Sequence, residues 1–193
     1  MIINYGMKQV QTKIVYYGPA MSGKTTSLKA LFKLLQKGED LQSIETTTGR
    51  TLFFDFGSLD FKGSEWNLKI NLYTTTGQDF YQATRPSTLA NSDAIVFIVD
   101  SQKELLNYNV LSWKELRSYF PKKIKEIPIA ICLNKRDLQN LVNEDEVRKS
   151  FNLGNGNGKH VCFFKSIATK GNGIKDSFKY IMNSLFPQFT IDI

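Results

Sequence analysis

Only two cysteines occur in the 193 residues, Cys132 and Cys162. They have no metal-ligand spacing and are too few for a disulfide framework. They read as buried, reduced thiols of a cytoplasmic protein. Histidine is scarcer still: His160 stands alone beside a glycine- and asparagine-rich stretch, without a partner for acid–base work, and reads as a solvent-exposed bystander. Long apolar runs are missing. Ala94–Val99 and Ile127–Leu133 are far shorter than the ~18 residues that span a bilayer, and the N-terminus has no signal-peptide layout. Gly6 is not at the second position and the chain closes on Thr190–Ile193, so neither myristoylation nor prenylation is signalled. An integral membrane segment is therefore not expected. Like-charge blocks and internal repeats are also missing. The balance of 25 basic against 18 acidic residues is compatible with nucleic acid, an anionic membrane or a phosphorylated small ligand. The densest basic run, Lys122–Lys125, is short and reads as solvated surface, so nucleic acid is not expected as a direct partner.

What is present is enough apolar side chain for one globular core, 41% of residues, in a length suited to one domain over residues 1–193. Lys13–Gly18 reads as a strand ending in a Gly/Pro/Ser loop. From Thr25 onward, Leu28, Leu31, Phe32 and Leu35 have helical spacing, with Gly38 beyond them. Thr51–Phe56 and the alternation of Leu68, Ile70 and Leu72 read as two strands joined through turn residues Gly57–Gly63, an antiparallel pair. Ala94–Asp100 and Ile127–Asn134 are the near-continuous apolar runs of central parallel strands. Helical spacing returns over Leu106–Phe120 and Ile174–Leu185, with a shorter helix over Asn143–Phe151 and a strand at Val161–Lys165. Gly154–Gly158 precedes that strand and not a helix, so it reads as a connector. The alternation predicts an α/β fold with ligands at the carboxyl ends of its parallel strands.

Those ends carry the motifs. Gly18-Pro19-Ala20-Met21-Ser22-Gly23-Lys24-Thr25 satisfies G-x-x-x-x-G-K-[ST] between a strand and a helix. Its glycines let backbone N–H groups close around phosphate oxygens, Lys24 reaches the β- and γ-phosphates, and Thr25 offers a hydroxyl to Mg²⁺. Gly18, Ala20, Met21, Ser22, Gly23, Lys24, Thr25 and Thr26 are assigned to nucleotide contact. Asn134-Lys135-Arg136-Asp137 is an N-K-x-D pattern: a carboxylate such as Asp137 accepts from the N1–H and amine of guanine, donors that adenine does not pair in this way. Lys135 can lay its stem along the base. After the next strand, Ala168 is the candidate backbone donor to the base oxygen. Hydrolysis further requires a threonine over Mg²⁺ and γ-phosphate, an N–H on that phosphate, a residue orienting water and a positive charge. Thr51, Gly77, Gln78 and Arg50 could supply those four in that order.

Together these segments resemble a Ras-like small GTPase of the phosphate-loop class. Asn4-Tyr5, Lys13–Gly18, Arg50–Phe56 and Asp100-Ser101-Gln102 resemble, more narrowly, the gliding-motility GTPase A (MglA-like) family, from about Ile3 to Leu185. The resemblance implies a six-stranded, mostly parallel sheet with helices on both faces and an extra N-terminal extended piece over Ile2–Val10. It implies GTP and GDP as ligands with Mg²⁺, and a roadblock-domain (MglB-like) dimer that stimulates slow hydrolysis. It also maps a cis arginine finger onto Arg50 and the water-positioning glutamine onto Gln78, with Gln42–Asp55 as the moving element. The chain alone is expected to be monomeric, and effector and exchange factor are not identified by the sequence.

Two departures stand out. Thr74 replaces the aspartate that ordinarily opens the Thr74–Gly77 motif, so another acid must compensate; Asp55 and Asp100 are the candidates, with strand-end position favouring Asp100. Ala20 replaces a glycine near the γ-phosphate, where its methyl can crowd the reacting groups. Both keep open a rival from another class, a guanine-nucleotide-dependent scaffold that hydrolyses very slowly or not at all. An ATP-dependent enzyme is the other rival, disfavoured by Asn134–Asp137.

Overall fold

The computed structural model describes residues 1–36, 41–45, 51–76, 83–121, 123–153 and 160–188, with backbone alone at 41–45, 51–54 and 123. The strands are β1 (Ile2–Asn4), β2 (Gln9–Tyr17), β3 (Leu41–Glu45), β4 (Thr51–Lys62), β5 (Asn67–Thr74), β6 (Ala94–Asp100), β7 (Ile129–Asn134) and β8 (Val161–Lys165). The helices are α1 (Lys24–Leu34), α2 (Arg85–Leu89), α3 (Leu106–Tyr119), α4 (Glu144–Ser150) and α5 (Ile174–Leu185).

All the strands form one eight-stranded sheet in the order β3-β4-β5-β2-β6-β7-β8, with β1 paired to β2. β2 runs parallel to both β5 and β6, and β6, β7 and β8 continue parallel. β1 pairs antiparallel with β2, and β4 pairs antiparallel with both β3 and β5. Two of the eight exceed the expected six: the N-terminal strand, which was foreseen, and β3, which was not.

Strand period puts alternate residues on opposite faces, and two cores result. Ile14, Tyr16, Val96, Ile98, Ala130 and Cys132 meet α1 and α5 through Leu28, Leu31, Phe32, Phe178, Ile181 and Met182. Their immediate neighbours Val15, Tyr17, Phe97, Val99, Ile131 and Leu133 meet α3 and α4 through Trp113, Leu116 and Val147. Both faces of β6 and β7 are covered, which is why their sequences read as unbroken apolar runs.

Gly57–Lys62 departs from the expected turn. β4 continues through it to pair with β5, and the true turn is closed by Gly63 N–H donating to Trp66 O at 3.1 Å. Leu59 is fully buried, so the apolar alternation of Leu59 and Phe61 outweighs the turn-forming character of Gly57, Ser58 and Asp60. Cys132 is buried as expected and its thiol is pushed up to about 12 by burial, whereas Cys162 is only half-buried. His160 is half-buried too, its carbonyl accepting from Ile129 N–H at 2.6 Å. The Gly154–Gly158 connector lies outside the described residues.

Candidate nucleotide site

Because β5 lies on one side of β2 and β6 on the other, the loop after β2 opens at the point where the sheet reverses its winding. Gly18 turns there with φ 147°, and a Cβ on it would stand 2.3 Å from the carbonyl oxygen of Ile98. Gly23 caps α1 with φ 101°, and a Cβ there would meet Asn134 Nδ2 at 2.4 Å. Both positions exclude side chains on conformational and steric grounds. Ala20, Met21 and Thr26 are exposed along the same turn, Met21 with φ 59°, while Ser22 is fully buried.

Lys24 is buried at the start of α1 and its Nζ donates to the carbonyl oxygens of Gly18 (2.9 Å) and Pro19 (2.7 Å). Burial pulls its pKa down to about 7; the nearby Arg85 charge adds to that fall and Asp55 opposes it. A cation held at such cost in desolvation is prepared for an anion, which restores the favoured charge.

Thr25 Oγ1 donates to Asp55 Oδ2 at 2.5 Å, and Thr74 Oγ1 donates to the same oxygen at 2.6 Å. The ladder that pairs Phe56 with Tyr73 sets Asp55 opposite Thr74, and Asp55 N–H returns a bond to Thr74 Oγ1 at 2.8 Å. The acid beside the Thr25 hydroxyl is therefore Asp55, not the favoured Asp100. Asp100 is engaged elsewhere: its Oδ2 accepts from Lys135 Nζ at 2.6 Å and its Oδ1 from the Gln102 N–H and amide at 3.2 and 3.1 Å. A fully buried carboxylate between two threonine hydroxyls is a hard-oxygen donor set of the kind Mg²⁺ takes together with substrate phosphates. The residues present fit that ion.

Asn134 joins three loops. Its Nδ2 donates to Ser22 O at 2.8 Å, and its Oδ1 accepts from Ala168 N–H at 3.0 Å and from Ser166 Oγ at 3.3 Å. The phosphate loop, the N-K-x-D turn and the loop after β8 are thus fixed to one another through one buried amide. Lys135 sits in the left-handed region at φ 64°, its stem directed by the Asp100 pair, and Asp137 is exposed at the rim. Of the remaining expected residues, Thr51 begins β4, whereas Arg50, Gly77 and Gln78 lie outside the described residues.

One cluster was not anticipated. Arg85, buried at the start of α2, donates through Nε to Thr76 O at 3.1 Å and through Nη1 to Glu115 Oε2 at 2.5 Å. Glu115 on α3 also accepts from the hydroxyls of Tyr17 (2.6 Å) and Tyr119 (3.0 Å). The available signal was Arg85-Pro86, an arginine at a helix start marked by proline.

The parallel sheet, the phosphate loop at its reversal point and the guanine-type motif tied to that loop define a Ras-like, phosphate-loop, GTP-binding protein. The model of the ADP-ribosylation factor family matches residues 1–185, and the chain belongs to that family of small GTPases, as an MglA-like member. It is 38% identical over 188 residues to the mutual gliding-motility protein MglA of Myxococcus xanthus, covering 93% of this chain and 92% of that one. It is 28% identical to ADP-ribosylation factor-like protein 1 of Caenorhabditis elegans, covering 91% and 89%. Among solved structures, the Arl6 BBS3 small GTPase of Trypanosoma brucei with bound GppNp superposes with a TM-score of 0.68 at 18% identity. That match covers 93% of this chain and all of the other. The family makes this chain a GTP- and GDP-binding switch of the GTP-hydrolysing class. Among the described residues no helix is long and apolar enough to cross a membrane.

Proposed function

We propose that residues 1–193 form a single GTPase domain that hydrolyses GTP to GDP and phosphate slowly on its own and faster in complex with a roadblock-domain dimer. The observation that carries the site assignment is the Asn134 side chain, which holds phosphate loop and base loop in one arrangement. Guanine is selected by Asp137, with Lys135 along the ring. Ala168 N–H serves the base oxygen by sharing the donor now bonded to Asn134. Lys24, the main-chain N–H groups of Gly18 and of Ala20 to Thr25, and Thr26 hold the phosphates. Thr25 and Thr51 hold Mg²⁺, with Asp55 supplying the carboxylate that Thr74 lacks. When bound, that ion supplies charge neutralisation at the phosphates.

In the reaction, Gln78 orients the water in line with the γ-phosphorus, Gly77 N–H and Lys24 stabilise charge on the phosphoryl oxygens, and Arg50 adds its positive charge in cis. The scaffold reading gains from Ala20, which crowds the γ-phosphate side, but its second support weakens because a carboxylate does stand beside Thr25. Cytoplasmic residence and a monomeric free state complete the proposal.

Single-turnover phosphate release, with and without a candidate roadblock dimer, tests it. Stimulated turnover should fall about 10³-fold or more in Arg50→Ala and Gln78→Ala, with GTP affinity nearly unchanged. Equal stimulation in wild type and both variants removes these residues from the chemistry. No release from wild type under any condition leaves the scaffold.

A further inference from the structure

The two neighbours of β6 leave it at different points. Pairing with β2 ends at Tyr17 and Phe97, because the phosphate loop departs from the sheet at Gly18, whereas pairing with β7 continues to Asp100 and Asn134. On the side of the departed strand, the buried N–H and carbonyl of Asp100 still need partners. A side chain from α3 supplies both. Asn109, fully buried, accepts from Asp100 N–H through Oδ1 at 2.9 Å and donates through Nδ2 to Asp100 O at 2.8 Å and to Leu105 O at 3.0 Å. One primary amide thus takes the place of a strand residue, with both of its N–H groups in use. An apolar side chain at position 109 could fill the same space, but it would leave both main-chain groups of Asp100 unpaired.

The residue held in this way faces the base turn. Asp100 exposes 1% of its side chain, and the Lys135 ammonium, 2.6 Å from Oδ2, is the cation that offsets the burial of its carboxylate. Lys135 follows Asn134, the β7 partner of Asp100, so the ion pair closes directly across the ends of the two strands. We propose that Asn109 and Asp100 are positioning residues for the purine. The amide holds the end of β6, the carboxylate at that end holds the Lys135 ammonium, and the Lys135 stem is thereby kept along the ring. This rests on the place given to Lys135 in the proposed function.

The consequence falls on the base and not on the phosphates. The full chain with Mg²⁺ is titrated with fluorescent GDP and, by competition, with GppNp. Asp100→Asn exchanges a charged hydrogen bond for a neutral one and lowers affinity for both nucleotides about tenfold, and Asn109→Ala lowers both about fivefold. Lys135→Met keeps an unbranched stem without the ammonium, and its affinity is lower from the start. Neither substitution lowers that affinity by more than about a further twofold, because residues that act through one partner are not additive. Asn109→Ser, whose single hydroxyl cannot serve both the N–H and the carbonyl of Asp100, takes over if Asn109→Ala does not fold. Losses that add in full to that of Lys135→Met, or a loss confined to GppNp, overturn the inference alone. So does wild-type affinity in Asp100→Asn or in the Asn109 variants. Wild-type affinity in Lys135→Met overturns the inference together with the place proposed for Lys135.

Discussion

At the scale of single residues, the relocated acid has the clearest consequences. A carboxylate usually carried at the start of the T-x-x-G motif stands instead on the facing strand, directly across the ladder, with its Oδ2 2.6 Å from the Thr74 hydroxyl. Exchange across that pair should be nearly neutral, whereas loss of the acid should not. Asp55→Thr is expected to raise the free Mg²⁺ needed to retain GTP by about tenfold or more, on the scale of a charged hydrogen bond. Adding Thr74→Asp should restore retention, and Asp100→Asn, which acts on Lys135 at the base, should leave the Mg²⁺ dependence unaltered, all measured as nucleotide release against free Mg²⁺. If the Asp55 variant holds nucleotide at wild-type Mg²⁺ levels, the carboxylate has no part in the ion site. The same residue shows where sequence reading stops. Gly18, Lys24, Thr25 and Asn134 were legible because each motif is contiguous and its chemistry depends on local spacing. Asp55 acts through a contact across 30 residues, and its only local sign is an ionisable side chain in an aromatic strand, Phe53-Phe54-Asp55-Phe56.

At the scale of elements, burial on both faces decides what could be foreseen. β6 and β7 fell close to expectation as unbroken apolar runs and α5 through its helical apolar spacing, while β8, a partly exposed edge strand, kept the expected bounds Val161–Lys165. α4 lies within the expected short helix Asn143–Phe151, and the structure adds a capping box in which Asn143 and Glu146 satisfy each other's backbone N–H groups. α2 has five residues, too few for a period, and β3 is read only through its pairing with β4. The face carrying α3 depends on an aromatic triad: Phe97 meets Trp113 and Phe151 edge-on at 5.2 and 5.5 Å, and those two stack at 5.0 Å. Phe97→Ala should therefore cost about 3–5 kcal/mol in urea unfolding of the GDP-bound protein. The preference for guanine should persist, because the Asn134 tie lies at the end of β7 and not in this cluster. A loss under 1 kcal/mol would mean that the triad does not anchor α3.

At the scale of the whole molecule, function follows from where the loops converge. The strand order brings the turns after β2, β7 and β8 to one end of the sheet, and Asn134 makes them a single surface: an anion cradle beside a purine rim. The central claim is that this surface binds guanosine phosphates through Lys24 at one end and Asp137 at the other. Equilibrium competition of GTP against ATP for the Mg²⁺-containing protein tests it most directly. Two hydrogen bonds from guanine to a carboxylate predict at least about a hundredfold preference for GTP, reduced most of the way to parity in Asp137→Ala. Equal binding of GTP and ATP by the wild-type protein, or a preference that survives in Asp137→Ala, would contradict it.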